Sequence, residues 1–150
     1  MPDDVNVLIN FCEEQWAQAR HTEEQRATVS NLILLVGSII IGFVSQQSMT
    51  LSLLPLTIFL IVLGLFGALV TEKYYERFHY HHSKVGKWKQ RLDELCPNAH
   101  LIELEKVAEA GHAKYWSNKL YKVRLHRLWL ILNLFIAAIG TILTFLVFLS

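Results

Sequence analysis

Apolar residues are gathered into three blocks along the chain. The blocks contain no Asp, Glu, Lys or Arg and run over residues 29–44, 51–70 and 128–149. A helix of about twenty apolar residues crosses the hydrocarbon core of a bilayer, because each residue adds ~1.5 Å. The second and third blocks have this length, and uncharged neighbours extend the first to 29–45. The pattern predicts an all-α membrane protein with three transmembrane helices.

The segment before the first span also has helical periodicity. No Gly or Pro interrupts residues 3–28, and the polar residues that follow Ala19 weaken the apolar stripe. We therefore expect a helix that packs through its first half and leads straight into the first span. The stripe consists of Val5, Leu8, Ile9, Cys12 and Trp16.

The second span continues as a helix beyond the apolar block. No helix breaker occurs until Cys96-Pro97-Asn98, which is predicted to end the helix after Leu95. The extension carries an apolar seam at helical steps, with His81 or His82 filling its central gap. The seam residues are Tyr74, Phe78, Val85, Trp88, Leu92 and Leu95.

A return helix is predicted after this break. Asn98 can cap it, and no break is evident before Leu128, so we expect it to run directly into the third span. Segment 71–127 would then be a helical hairpin that forms a bundle with 3–28, within a single domain of 1–150. The predicted buried stripe of the return helix is Leu101, Leu104, Ala108, Gly111, Tyr115 and Val123.

The charges predict which segments face the cytoplasm. Residues 1–28 carry two Lys/Arg against six Asp/Glu, and residues 71–127 carry twelve against seven, whereas the 45–50 turn and Ser150 have no charged side chain. Lysine and arginine are retained on the cytoplasmic side. The N-terminus and 71–127 are therefore predicted inside, and the C-terminus outside.

Small residues and one amide interrupt the apolar blocks. Ser38-xxx-Gly42 and Gly64-xxx-Ala68 are spaced for close helix approach, either within one chain or between copies. Asn133 is the strongest polar intrusion in the third span, and such residues usually face a neighbouring helix. The candidates for pore lining or helix packing are Gly37, Ser38, Gly42, Gly64, Gly67 and Asn133.

The densest chemistry lies where the second helix leaves its apolar block. Arg77 and His82 are separated by four residues, a spacing that resembles the R-x4-6-H motif of the HEPN superfamily of helical RNases. The resemblance implies that Arg77 would hold the scissile phosphate and that His82 would be the general acid or base. The alternative is a basic and aromatic belt at the membrane surface, with His82 packed on the bundle seam.

Two further hypotheses involve the same region. His79 and His82 could share a metal with His100, His112 or a glutamate, but no supporting ligand motif is present, so we expect no metal and no cofactor. A set of basic residues could bind RNA, although the retention of positive charge in the cytoplasm explains most of them equally well. These residues are Lys84, Lys87, Lys89 and Arg91.

The layout of spans and cytoplasmic helices resembles small membrane proteins of bacterial anti-phage systems. These are the SLATT-domain proteins and the membrane accessory protein of type VI-B CRISPR systems, which carries an R-x4-6-H motif. The resemblance implies a homo-oligomer in the bacterial inner membrane that forms a pore, or depolarises the membrane, when a soluble defence partner senses infection. In such an effector Arg77, His79, His82 and Trp88 would serve gating or contacts between protomers.

Two other functions remain open at this point. The first is a membrane-tethered RNase that uses Arg77 and His82. The second is a membrane anchor or scaffold that recruits a soluble partner through segment 71–127. No Walker loop, glycine-rich phosphate loop or nucleophile elbow is present in the sequence, so a non-enzymatic effector is the leading prediction.

Overall fold

The computed structural model describes residues 2–116 and 123–150, and within these residues it contains helices and no strands. The structure is 92% helical, which confirms the predicted all-α class. The described residues form four α-helices: α1 (Pro2–Val44), α2 (Leu54–Leu95), α3 (Leu101–Tyr115) and α4 (Leu125–Leu149). Short 3-10 turns at Leu51–Leu53 and Pro97–Ala99 precede α2 and α3.

Three of the described helices are long and apolar enough to cross a membrane. They are α1, α2 with its preceding turn, and α4, as the apolar blocks predict. With 43 and 42 residues, α1 and α2 each exceed by about twofold the ~30 Å needed to cross the hydrocarbon core. Each of these two helices therefore also forms part of a segment outside the apolar blocks, without a break.

The chain divides into two compact units. Unit 1 comprises the described residues up to Glu23 and those from Tyr75 to Arg124, and unit 2 comprises Glu24–Tyr74 and Leu125–Ser150. These limits lie within five residues of the predicted boundaries between the spans and the other segments. The apolar blocks are thus collected in unit 2.

Unit 2 is held together by two apolar clusters. Ile33, Leu60 and Ile136 form the first cluster, with one buried residue each from α1, α2 and α4. Val44 and Val147 form the second cluster with Leu53, near the turn between α1 and α2. At the same end, the Ser150 hydroxyl donates a hydrogen bond to the carbonyl oxygen of Met49 at 2.7 Å. Side chains from all three helices therefore share one interior.

Glycines bring α2 and α4 into close contact within unit 2. A Cβ atom on Gly64 would lie 2.5 Å from the backbone nitrogen of Ala137 and 2.7 Å from the carbonyl oxygen of Asn133. A Cβ atom on Gly140 would lie 2.8 Å from the backbone nitrogen of Ile61. No side chain fits at such separations, so the two backbones can approach this closely only because these positions are glycine.

The seam predicted along the α2 extension is confirmed, and all of its residues except Tyr74 belong to unit 1. Val85 and Leu92 are buried, and the remaining seam residues are half-buried. His81, which is half-buried, fills the gap in the seam, whereas His82 is exposed. A continuous 3.6-residue period brings residue 81 onto the same face as residues 78 and 85.

The apolar stripe of α1 does become polar after Ala19, but the prediction that the segment packs only through its first half is wrong. Thr22, Arg26 and Ser30 continue the buried face with exposed fractions of 8%, 3% and 3%. The helix is unbroken, so the same face stays inward even where the side chains become polar. Thr22 satisfies its hydroxyl within the helix by donating to the carbonyl oxygen of Gln18 at 2.8 Å.

The predicted Asn98 cap is also wrong. Asn98 lies inside the 3-10 turn, and α3 begins at Leu101 after His100, whose φ of 46° is in the left-handed region. The Asp93 carboxylate, eight residues away on α2, accepts a hydrogen bond from the Leu101 backbone N–H at 2.6 Å. A side chain from a neighbouring helix thus replaces the local cap, which the backbone conformation at His100 does not provide.

The prediction of a buried return helix that continues into the third span does not hold. No side chain on α3 is buried, and α3 ends at Tyr115, whereas α4 begins at Leu125. Leu104 is 61% exposed and Tyr115 is 81% exposed. Helices in proteins persist chiefly through tertiary packing, and the end of α3 has little of it. Residues 117–122 of the predicted hairpin lie outside the described residues.

Candidate functional site

The adjacent histidines His81 and His82 differ in their surroundings within unit 1. The His82 ring lies edge-on to Trp16 of α1, with ring centroids 5.5 Å apart, and stacks on Phe78 at 5.9 Å. His81 Nδ1 lies 2.7 Å from Oε1 of Gln15, also on α1. Neighbouring residues on α2 therefore each contact α1, His82 through ring packing and His81 through a hydrogen bond.

The environment of His81 favours its neutral form. Burial lowers the pKa of His81 below its usual value of 6.5, and the positive charges of Lys84 and Arg77 lower it further. The hydrogen bond fixes the tautomer: because the Gln15 oxygen only accepts, Nδ1 carries the proton and donates. A neutral His81 thus serves as a polar link between the helices.

The structure does not join Arg77 to His82. Arg77 is exposed, and among the described residues no hydrogen bond or ring contact links the two side chains. The R-x4-H spacing places them about 140° apart around the helix, so a single chain presents them on different faces. A phosphate-binding site that uses Arg77 or His82 would therefore need side chains from another helix or another copy of the chain.

His79 belongs to an aromatic group rather than to a ligand cluster. Its ring lies edge-on to Tyr75 at 4.4 Å. Within residues 2–116 and 123–150, no group of three His, Cys, Asp or Glu side chains is arranged to hold a metal ion. His100 lies 3.4 Å from Glu103, and His112 lies beside Trp116, so each proposed third ligand has a different neighbour.

Trp88 and Lys89 connect the helices of unit 1. The Trp88 ring lies 5.4 Å from the ring of Phe11 on α1. The Lys89 ammonium group forms a 2.7 Å ion pair with Glu105 of α3 and lies 5.7 Å from the centroid of the Trp16 ring. The sequence placed Trp16 on a packing face but gave no signal for Glu105 or Gln15, because neither is part of an apolar period.

The four basic residues considered for RNA binding do not form one free surface. Lys84 lies 4.1 Å above the Tyr80 ring, and Arg91 forms a 2.6 Å ion pair with Glu94. Lys89 is on a different side of α2, where it pairs with Glu105, and Lys87 is exposed. Local partners therefore already engage three of the four positive charges.

An apolar groove lies beside Trp16 and Lys89 in unit 1. It has a volume of about 330 Å³, and Glu13, Lys89 and Glu105 place charges along it. Burial raises the pKa of the Cys12 thiol, and the nearby Lys89 charge offsets part of that rise. A thiol with a raised pKa is mostly protonated and weakly nucleophilic. The groove is otherwise lined by Ile9, Cys12, Trp16, Leu92 and Leu101.

The candidate packing residues fall into two groups in unit 2. Gly37 faces Ile136 and, with Gly64, Gly67 and Asn133, is buried inside the unit. Ser38 is exposed, and its hydroxyl donates to the carbonyl oxygen of Leu34 at 2.6 Å. A Cβ atom on Gly42 would meet nothing within 4 Å. The first group therefore packs one chain, and the Ser38-xxx-Gly42 pair faces outward.

No protein-family model, curated protein or solved structure matches the chain. The class is therefore defined by the fold: an all-α protein with three apolar helices of membrane-spanning length. The histidine and aromatic cluster of unit 1 lies outside the apolar blocks. Its contacts are ring packing, one amide hydrogen bond and one ion pair.

Proposed function

We propose that this protein is a membrane effector that acts as an assembly of several copies and makes the bilayer permeable to ions. The setting that the family resemblance implies is antiviral defence at a bacterial inner membrane. The proposal is non-enzymatic. The described residues provide no gathered metal ligands, and Arg77 and His82 are not joined within a chain.

The observation that carries the assembly of copies, on which the proposed permeability depends, is the exposed apolar face of α3. Leu101, Leu104, Ala108 and Gly111 follow one another at alternating three- and four-residue steps, and all four are exposed. This is the spacing of a heptad seam, which another helix fills. A Cβ atom on Gly111 would meet nothing within 4 Å, so a neighbouring helix can approach closely. In an assembly of several copies, α3 of a second copy would cover this seam.

The matched pair Ala108 and Ala110 tests this step. Both are exposed on α3, but Ala110 lies about 160° away from Ala108 around the helix axis, outside the seam. Ala108→Glu should reduce the particle to a monomer in mild detergent and abolish ion flux in liposomes, whereas Ala110→Glu should leave both unchanged. Equal behaviour of the two variants would refute the role of α3 in assembly.

The activity itself is tested by membrane potential. Expression of the protein should collapse the potential of cells, measured with a voltage-sensitive dye, before growth stops. Growth arrest with an intact potential would rule out the proposed permeability. Cleavage of RNA by the purified protein, lost in Arg77→Ala and His82→Ala while the assembly persists, would instead establish the tethered RNase. One stoichiometric soluble partner without ion flux would establish the scaffold.

The orientation follows from the positive charges and belongs to the same proposal. Cys12 and Cys96 are free thiols in the segments proposed to face the cytoplasm. A membrane-impermeant maleimide should leave both unlabelled in intact cells, and it should label a Ser48→Cys variant from outside. Labelling of Cys96 in intact cells would reverse the orientation.

A further inference from the structure

The end of α3 exposes two adjacent aromatic rings. Tyr115 and Trp116 are 81% and 46% exposed, and their ring centroids are 5.3 Å apart. The Trp116 backbone N–H donates to the carbonyl oxygen of His112 at 2.9 Å, so both rings are held by the last turn of the helix. Exposed rings at such a site are costly in water, because each carries a large apolar area.

The chain returns to an apolar helix shortly after these rings. Only eight residues lie between Trp116 and Leu125, where α4 begins. The nine Cα–Cα steps from Trp116 to Leu125 span at most ~30 Å even when the chain is fully extended. If α4 crosses a bilayer, the connection is therefore short enough for Trp116 to reach the headgroup region near the start of α4. Tyrosine and tryptophan are enriched in that region, because an apolar ring with a polar tip suits it.

Positive charges accompany the rings on both sides. Lys114 precedes Tyr115 and is exposed, and Arg124, also exposed, directly precedes α4. Exposed Val123 adds apolar area next to Arg124. Cations beside aromatic and aliphatic side chains favour a surface that is both apolar and anionic, which is the headgroup region of a membrane with acidic lipids.

We infer that the C-terminal end of α3, with Lys114, Tyr115 and Trp116, together with Val123 and Arg124, docks in the headgroup region of an anionic membrane. The occupant is lipid from the same bilayer that the apolar helices cross. This contact depends on the membrane location of the protein but not on assembly or ion flux. A monomeric scaffold would make the same contact.

Tryptophan fluorescence tests this contact directly. The chain has four tryptophans, at positions 16, 88, 116 and 129. A variant that keeps only Trp116, with the other three replaced by Phe, is reconstituted in nanodiscs that contain phosphatidylglycerol and brominated phosphatidylcholine. We expect lipid brominated near the headgroup end of its acyl chains to reduce this emission roughly twofold, because bromine quenches rings at short range and interfacial tryptophan lies next to that part of the chains. A variant that keeps only Trp88, which packs on Phe11 in unit 1, is the control and should retain its emission.

Three results would overturn the inference. Trp116 emission that is insensitive to brominated lipid but quenched by aqueous iodide would place the ring in water. Emission that neither reagent quenches would place it against protein. Equal quenching of Trp88 and Trp116 would show that the contact with lipid is not specific to the end of α3.

Two further variants keep the test valid if the triple replacement perturbs folding. Trp116→Phe in the otherwise native chain should reduce the difference in emission between brominated and unbrominated nanodiscs. The difference that remains is the contribution of Trp129. Lys114→Glu should weaken the quenching in anionic nanodiscs but not in neutral ones. If Lys114→Glu weakens the quenching in both kinds of nanodisc, or in neither, acidic headgroups are not what the segment recognises.

Discussion

The side chain of Asn133 on α4 occupies the space that a side chain on Gly67 of α2 would need. A Cβ atom on Gly67 would lie 2.7 Å from Cγ of Asn133, and it would be closer still to the Oδ1 atom of the same amide. The Asn133 Nδ2 group donates to the Thr71 hydroxyl at 3.2 Å and to the carbonyl oxygen of Trp129 at 2.9 Å. The glycine thus lets a buried amide reach its partners, whose loss would leave polar groups unsatisfied in an apolar interior.

Alanine substitutions at the glycines should rank by what their new Cβ atoms meet. Gly64→Ala should cost most, because the nearest atoms are backbone and cannot move aside. Gly67→Ala should cost about 1–3 kcal/mol in free energy of unfolding, as for other insertions into packed cores. Gly42→Ala, where the space is open, should be neutral or stabilise by up to ~1 kcal/mol. Thermal unfolding in mild detergent measures all three variants. Equal unfolding midpoints would contradict the close contact between α2 and α4 at these glycines.

The Gly67 and Asn133 substitutions should compensate each other. Asn133→Ala alone removes the hydrogen bond to Thr71 and leaves a cavity beside Gly67. A methyl group at position 67 would then enter this cavity, so the double variant should be less destabilised than the sum of the two single variants. A coupling energy of about 1 kcal/mol is expected for residues in direct contact. Strict additivity would mean that the two groups do not meet.

The Asp93 carboxylate should control the start of α3. Asp93→Ala removes the acceptor for the Leu101 backbone N–H, and lost caps typically cost ~1 kcal/mol. Hydrogen exchange at the first turn of α3 should therefore accelerate roughly fivefold, since 1.4 kcal/mol corresponds to a factor of ten. Asp93→Asn keeps an acceptor oxygen and is the matched control. Unchanged exchange in Asp93→Ala would show that the turn before α3, and not Asp93, defines the helix start.

His81 should make unit 1 less stable as the pH falls. Burial, Lys84 and Arg77 hold the pKa of the folded His81 below 6.5, so between these two pKa values the unfolded chain binds more protons than the folded one. The free energy of unfolding should therefore decline below pH 6.5 and level off once the folded form is also protonated. His81→Gln should flatten this part of the profile measured by thermal unfolding.

The control for the pH profile lies two residues away. His79→Gln replaces an exposed histidine on the same helix, outside the Gln15 contact. If both variants flatten the profile equally, the dependence does not belong to His81. A profile that rises as the pH falls would contradict the sign of the proposed linkage.

The helices and their inner faces could be predicted from local information. Block length gives the three apolar helices of membrane-spanning length, because the hydrocarbon core demands about twenty apolar residues. The period of 3.6 gives the α2 seam through Val85 and Leu92. Both signals are properties of a segment and need no knowledge of its neighbours. The break at Cys96-Pro97 is equally local, because proline cannot continue a helix.

The contacts between segments depend on tertiary structure. The partners of Asn133, of the His81 ring and of Lys89 lie on other helices, and no spacing along the chain specifies which residues meet there. For the same reason the sequence misjudged the polar inner face at Arg26 and the exposed face of α3. The sequence alone determined that this is an all-α protein with three helices able to cross a membrane, because helix formation and burial in lipid follow from local pattern. Only the tertiary structure decided which Gly, Asn and His residues come together. Several helix faces have the same sequence pattern, and close packing determines which of them meet.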